Sequence, residues 1–303
     1  MGPTQGERAR LAQSSLAGLS VGDAFGDQFF KLSNRHLSRA TDIPPGPWEW
    51  SDDSEMACSL LDVLNRYGRV DQDALAESFA ARFDISRRYG AGALELLEGL
   101  RDGDHWRSAS TALFGGNGSY GNGAAMRVAP LGAYFADDPD RAAAEAALSA
   151  EVTHAHPEGV AGAVAVAAAA AHAASSRGRD AGPAALIEAA LARTAHGEYV
   201  RRGLERALTL LDATPSEAAH VLGNGSRISA QDTVPFALWA AATRLTDYEA
   251  ALRACVTVGG DMDTTAAITG GVVAAHQGAA AIPAAWLEAR EPLPAWLTLT
   301  QAP

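Results

Sequence analysis

The chain has 303 residues, enough for one large domain or two small ones with an ample core. Its 24 Lys and Arg against 36 Asp and Glu give a net charge of -12, which opposes general binding to a phosphate backbone. With 48% hydrophobic residues, only 7% aromatic ones and long alanine tracts, the composition favours helix and argues against an all-β fold.

Apolar residues recur at helical spacing over Arg8 to Val21, Asp53 to Tyr67, Gln72 to Phe83, Gly90 to Leu100, Gly123 to Tyr134, Asp140 to Ala150 and Pro157 to Ser175. The second half adds Pro183 to Ala192, Tyr199 to Leu211, Ser216 to Leu222, Gln231 to Thr243, Tyr248 to Val256, Thr264 to Gln277 and Pro283 to Ala289. No stretch alternates convincingly between apolar and polar residues, no long polar linker divides the chain, and no helical-repeat period recurs. The expectation is an all-α fold, a single compact multi-helix domain over residues 1–303 with short flexible ends at about 1–8 and 298–303.

Cys58 and Cys255 are the only cysteines, too few for a disulfide framework or a thiolate metal cage, and both read as plain buried thiols in a reducing compartment. Met1 to Leu11 carries Glu7, Arg8 and Arg10 with no apolar signal core, so a cytoplasmic, monomeric protein is expected. The uncharged run Gly159 to Ser176 has the length of a membrane span, but it is mostly Ala and Gly with His172 inside, and reads as a buried helix.

Glycine and aspartate gather in three places, Gly22 to Gly26, Gly115 to Gly123, and Gly259 to Thr265, each bordering an apolar helix. A further acidic cluster, Ser51-Asp52-Asp53-Ser54-Glu55, stands where the helix behind Met56 should begin. Ser51 or Asp52 can cap that helix, and acidic groups suit its dipole. Asp261, Asp263 and Thr264 stand in the same relation to the helix that follows Thr265. Capping explains either cluster alone. Two pairs of mutually repelling carboxylates are also explained by a hard divalent cation that neutralises both. Oxygen ligands from Asp, Ser and Thr select Mg²⁺ or Mn²⁺ over zinc.

These strings resemble the ADP-ribosylglycohydrolase family, also called the dinitrogenase reductase-activating glycohydrolase-like family. The resemblance rests on GDAFG at Gly22 to Gly26, WSDDSEMA at Trp50 to Ala57, GNGAAMR at Gly121 to Arg127, THAHP at Thr153 to Pro157 and GGDMDTTAAITG at Gly259 to Gly270. It implies an orthogonal all-α bundle holding two Mg²⁺ or Mn²⁺ ions and cleaving a glycosidic bond of ADP-ribose. It makes Ser51, Asp52, Asp53, Asp261, Asp263 and Thr264 metal ligands, with Asp52, Asp53 and Asp261 the catalytic group. Ser51 stands where many relatives have Thr, and either hydroxyl supplies one oxygen.

The glycine-rich run Gly115 to Gly123 leads into a helix and can offer backbone N–H groups to an anion, or serve as an ordinary flexible loop. By resemblance, Ser119, Tyr120, Gly121, Asn122, Gly123, Met126 and His154 contact ADP-ribose, whereas His156 starts a helix and Arg127 makes a structural ion pair. Phe25, Phe29, Phe30, Trp48 and Trp50 flank the first acidic cluster and read mainly as core, and the turn Gly223 to Ser226 is a weaker candidate for the groove. Many relatives carry a Glu on a mobile loop where this chain has Phe30, with Asp27 and Gln28 the nearest polar groups.

The expected activity is metal-dependent hydrolysis of an N- or O-glycosyl bond joining ADP-ribose to a protein side chain or other acceptor, with ADP-ribosylated macromolecules as partners. Two alternatives stand beside it. One is a non-catalytic ADP-ribose-binding module, the other a two-metal hydrolase of a different ribosyl or nucleotide compound.

Overall fold

A computed structural model describes residues 3–179, 181–194 and 199–299. The first helix, α1 (Gln5–Asp27), starts on a capping box in which the Thr4 hydroxyl accepts the Glu7 N–H and the Glu7 carboxylate accepts the Thr4 N–H. Helix therefore begins inside the stretch expected to be flexible. At the other end, Asn65 Nδ2 donates to the Thr298 carbonyl, and residues 300–303 lie outside the described ones.

After α1 come α2 (Asp52–Tyr67), α3 (Gln72–Arg82), α4 (Ala91–Arg101), α5 (Trp106–Gly116), α6 (Gly123–Met126), α7 (Ala129–Tyr134), α8 (Pro139–Glu151) and α9 (Pro157–Ser175). The remainder is α10 (Pro183–Leu191), α11 (Tyr199–Leu208), α12 (Pro215–Leu222), α13 (Ala230–Thr243), α14 (Tyr248–Val258), α15 (Met262–Gln277) and α16 (Ala284–Ala289). Among the described residues there is no strand, only isolated bridges at Trp48 to Arg290 and Gly121 to Ser229. The fold is all-α, as the composition predicts.

The centre of the fold is the antiparallel crossing of α1 and α15. A Cβ on Gly18 would lie 2.3 Å from the Gly270 carbonyl oxygen, one on Gly22 would lie 2.2 Å from that of Ala266, and one on Gly26 would lie 2.3 Å from that of Met262. Spacing of four residues puts all three glycines on one helix face, so the two backbones touch along it. This is why α1 does not stop at Val21, where the sequence predicts its end. Gly22 and Gly26 are packing positions inside the helix rather than its punctuation.

The alanine-rich α9 packs against α7, α8, α13 and α15 and is buried along most of its length, as expected for the uncharged run. Two further differences from the expected elements have local causes. The predicted helix Gly123 to Tyr134 divides into α6 and α7 because Pro130, with no N–H to give, sits in the first turn of α7. Helix α5 went unpredicted because it buries only Trp106, Ser110 and Leu113, too few positions to draw an apolar stripe.

Candidate active site

The first acidic cluster is fixed by a residue from another helix. Asp23 of α1, fully buried, accepts the Ser51 N–H at 2.9 Å, the Ser54 N–H at 3.1 Å and the Ser54 hydroxyl at 2.6 Å. One carboxylate thus satisfies free donors at the α2 N-terminus that have no partner within the helix. The Ser51 hydroxyl accepts the Asp53 N–H at 3.3 Å and completes the cap. Capping is done by Ser51 and Asp23, which leaves the carboxylates of Asp52 and Asp53 for other use. Oδ2 of Asp53 is buried and has no hydrogen-bond partner among the described residues.

The second cluster follows the same logic. Asp261 occupies the N-cap position of α15, yet its side chain makes no capping bond. Its Oδ2 accepts instead from Asn122 Nδ2 at 2.6 Å, across 139 residues of sequence, and its backbone N–H donates to the Asn224 carbonyl at 3.0 Å. Asp263 Oδ1 accepts the Thr264 N–H at 2.9 Å. Because α15 runs antiparallel to α1, its N-terminus lies beside the C-terminal turns of α1, where Asp23 holds the start of α2.

Asp52, Asp53, Asp261, Asp263 and Thr264 accordingly line one pocket of about 440 Å³, together with Ser119, Tyr120, Gly121, Asn122, Gly123, Met126 and His154. Every residue expected to touch ADP-ribose or a cation is on this wall except Ser51, which is buried behind it as the α2 cap. Burial pushes the Asp52, Asp53 and Asp263 carboxyls well above the usual carboxylate range. For Asp53 the nearby Asp23 and Asp263 charges add to that effect, and burial raises Asp261 as well. Among the described residues no three His, Cys, Asp or Glu side chains converge at ligating distance, although the Asp261 and Asp263 carboxyls come within hydrogen-bond reach of each other. The orphaned oxygen of Asp53 and the all-oxygen donor set fit a hard divalent cation, whose charge would relieve this repulsion.

The glycine run wraps the other part of the pocket. A Cβ on Gly123 would sit 2.8 Å from His154 Cε1, and one on Gly121 would sit 3.2 Å from His154 Nε2, so glycine lets the loop close over the imidazole. His154 Nδ1 pairs with the Thr153 hydroxyl at 2.7 Å, and burial pushes its pKa down to about 3. It is a neutral hydrogen-bonding group at physiological pH. Two exposed rings project at the rim. Phe114, at a left-handed φ of 52° where α5 breaks, and Tyr120 have centroids 6.3 Å apart and planes 33° from parallel. Sequence reasoning named Tyr120 and missed Phe114, whose only signal was an apolar residue directly before a glycine pair.

Some expected roles change. Arg127 is fully buried and, among the described residues, has no acidic partner in hydrogen-bond or ion-pair reach. It donates to the Gly123 and Ser149 carbonyls at 3.0 and 2.8 Å and to the Thr153 hydroxyl at 3.0 Å, so it splints the loop to α8 instead of forming an ion pair. Burial lowers its pKa to about 9. His156 caps α9 by accepting the Glu158 N–H, as expected. Phe30 is exposed, and neither Asp27 nor Gln28 lines the pocket: Gln28 Nε2 donates to the Ala24 carbonyl, while Asp27 pairs with Arg88. The Gly223 to Ser226 turn backs Asp261 through the Asn224 carbonyl, and the pocket wall there is formed by Arg227 and Ile228. A larger open groove of about 650 Å³ between α3, α4 and α5 holds neither the acidic clusters nor the glycine run.

The fold is thus all-α, and its two helix starts bring four aspartates to one glycine-walled pocket. The profile of the ADP-ribosylglycohydrolase family matches residues 3–301, and the chain belongs to that family. A protein of Archaeoglobus fulgidus with no described function is 32% identical over 91% of this chain and 90% of its own. Human ADP-ribosylhydrolase ARH3 is 28% identical over 91% of this chain and 88% of its own. A solved structure of an ADP-ribosylglycohydrolase-related protein complex superposes with a TM-score of 0.69 at 29% identity, covering 94% of this chain and 93% of the other. Family membership places the chain among the hydrolases of ADP-ribose linkages.

Proposed function

We propose that the pocket cleaves the bond between the distal ribose of ADP-ribose and an acceptor, in a reaction that depends on a pair of Mg²⁺ or Mn²⁺ ions. The observation that carries this reading is that Asp52, Asp53, Asp261 and Asp263 line one pocket while the capping of α2 is supplied by Ser51 and Asp23. Asp52, Asp53, Asp261, Asp263 and the Thr264 hydroxyl would hold the ions, with Ser51 supporting the cluster from its buried cap. When bound, the ions supply charge neutralisation and a water activated near neutral pH.

The residues of the chain do the rest. Phe114 and Tyr120 present exposed rings at the pocket rim on which a nucleobase stacks. Backbone N–H groups of the Ser119 to Gly123 turn answer the diphosphate. Asn122, anchored on Asp261, ties that turn to the carboxylate cluster, so binding of the nucleotide and placement of the anomeric carbon are mechanically linked. His154 stays neutral and holds a hydroxyl without exchanging protons. In the hydrolytic step a water oxygen bonds to the anomeric carbon, the bond to the acceptor breaks, and the acceptor leaves with a proton from that water. The oxocarbenium-like transition state is favoured by the surrounding carboxylates.

The test is a panel of defined ADP-ribose conjugates assayed with Mg²⁺, with Mn²⁺ and with chelator. Release of ADP-ribose that chelator abolishes is expected. Tight binding of ADP-ribose with no release from any conjugate makes the chain a binding module, and turnover only of other ribosyl or nucleotide compounds moves the reaction to a different substrate.

A further inference from the structure

The Thr153 hydroxyl stands between two fixed groups. Its oxygen lies 3.0 Å from Arg127 Nη2 and 2.7 Å from His154 Nδ1, and among the described residues it makes no other hydrogen bond. Arginine carries five donors and no acceptor, so at the first contact the Thr153 oxygen accepts. Arg127 has no freedom to turn away. It is fully buried, its Nη1 donates to the Gly123 carbonyl and its Nη2 also to the Ser149 carbonyl, and its guanidinium lies over the Phe79 ring at 4.8 Å. With a pKa of about 9 it stays protonated at neutral pH.

The one hydroxyl hydrogen of Thr153 is then left for His154 Nδ1. The opposite assignment, with Nδ1 donating, would leave that hydrogen buried without an acceptor. A ring nitrogen that accepts carries no proton, and a neutral imidazole has a single N–H. Burial keeps the ring neutral, with a pKa of about 3, so the proton sits on Nε2. His154 is 8% exposed and lines the pocket, and among the described residues its Nε2 makes no hydrogen bond. A Cβ on Gly121 or Gly123 would lie 3.2 or 3.0 Å from that nitrogen, so two bare glycines border it. A largely buried N–H with no protein partner calls for an acceptor from the pocket.

We propose that Thr153, its hydroxyl turned by Arg127, is a positioning residue that fixes His154 with the proton on Nε2, so that the imidazole offers a hydrogen-bond donor to an oxygen lone pair of bound ADP-ribose. The ligand half of this inference rests on the reading that the pocket takes ADP-ribose, and the tautomer does not. The reverse tautomer would point a nitrogen lone pair at the same oxygen and repel it.

The experiment reads the His154 ring nitrogens by two-bond ¹H–¹⁵N correlation in histidine-labelled protein, with His154→Gln to assign the signals, beside calorimetric affinities for ADP-ribose with Mg²⁺. The native protein should show a protonated Nε2 and an Nδ1 that is unprotonated and hydrogen-bonded. In Thr153→Val the Nδ1 signal should move to that of a free acceptor and affinity should fall about tenfold, and Thr153→Ser should restore both. In Arg127→Met the Thr153 hydroxyl is free to accept, and the form protonated on Nδ1 should gain population. A native ring protonated on Nδ1 overturns the assignment without recourse to any variant. So does an Nδ1 signal or an affinity that is unchanged in Thr153→Val, and a native spectrum in Arg127→Met removes Arg127 from the chain. A native protein with the expected tautomer that binds no ADP-ribose upholds the roles of Thr153 and Arg127 and refutes the functional reading instead.

Discussion

The Asp23 carboxylate accepts both the hydroxyl and the backbone N–H of Ser54, at 2.6 and 3.1 Å, and so fixes the first turn of α2 to α1. The GDAFG string thereby acts twice: its glycines let α1 lie on α15, and its aspartate orients the neighbouring helix that carries Asp52 and Asp53. Replacing Asp23 by Asn leaves one acceptor oxygen and turns an N–H₂ group toward buried donors. The expected cost is about 1–3 kcal/mol, seen as a melting temperature lower by several degrees. An unchanged melt would mean that the anchor carries no weight.

Close approach of α1 and α15 predicts a sharp contrast between two glycines in the same helix. Gly22→Ala places a methyl 2.2 Å from a carbonyl oxygen and should leave little folded protein. Gly6→Ala meets nothing within 4 Å and should stabilise the helix by up to about 1 kcal/mol. Denaturant midpoints of the two variants measure the difference, and similar midpoints would refute the crossing as described.

His154 predicts a pH dependence. Its folded pKa of about 3 lies below the ordinary 6.5, so between those values the unfolded chain binds the extra proton. The associated stability is complete above pH 6.5 and is lost as pH falls toward 3, at no more than about 1.4 kcal/mol per pH unit. His154→Gln should flatten this acid limb relative to the native protein in parallel denaturation curves. Identical limbs would show that His154 titrates normally.

The two rim rings predict a base-specific loss of affinity. Phe114→Ala and Tyr120→Ala should each weaken ADP-ribose binding about tenfold, in line with about 1–3 kcal/mol per stacked base, and leave ribose 5-phosphate binding unchanged. Equal losses for both ligands in a calorimetric titration would place the base somewhere else.

Much of this arrangement is readable from local signals and some of it is not. Helix α2 and its acidic start are legible because Ser51 and the apolar run behind Met56 follow capping and periodicity rules, and the paired aspartates at the start of α15 are legible from the glycines before them and the apolar run behind. Asp23 is not, since its donors lie 28 and 31 residues away and a glycine-flanked aspartate reads as a turn. Phe114 and Arg88 are hidden for a related reason: each owes its position to a left-handed backbone that nothing in a single sequence marks on a non-glycine residue. Arg127 was expected to find an acid, but three nearby oxygens from α6, α8 and the turn before α9 suffice.

The central claim is that aspartates of α2 and α15 hold a pair of divalent cations. Anomalous scattering from crystals grown with Mn²⁺ tests it directly. Two peaks bounded by Asp52, Asp53, Asp261 and Asp263 are predicted, and their loss on changing Asp261 and Asp263 to Asn. A pocket without manganese at saturating concentration would contradict the account.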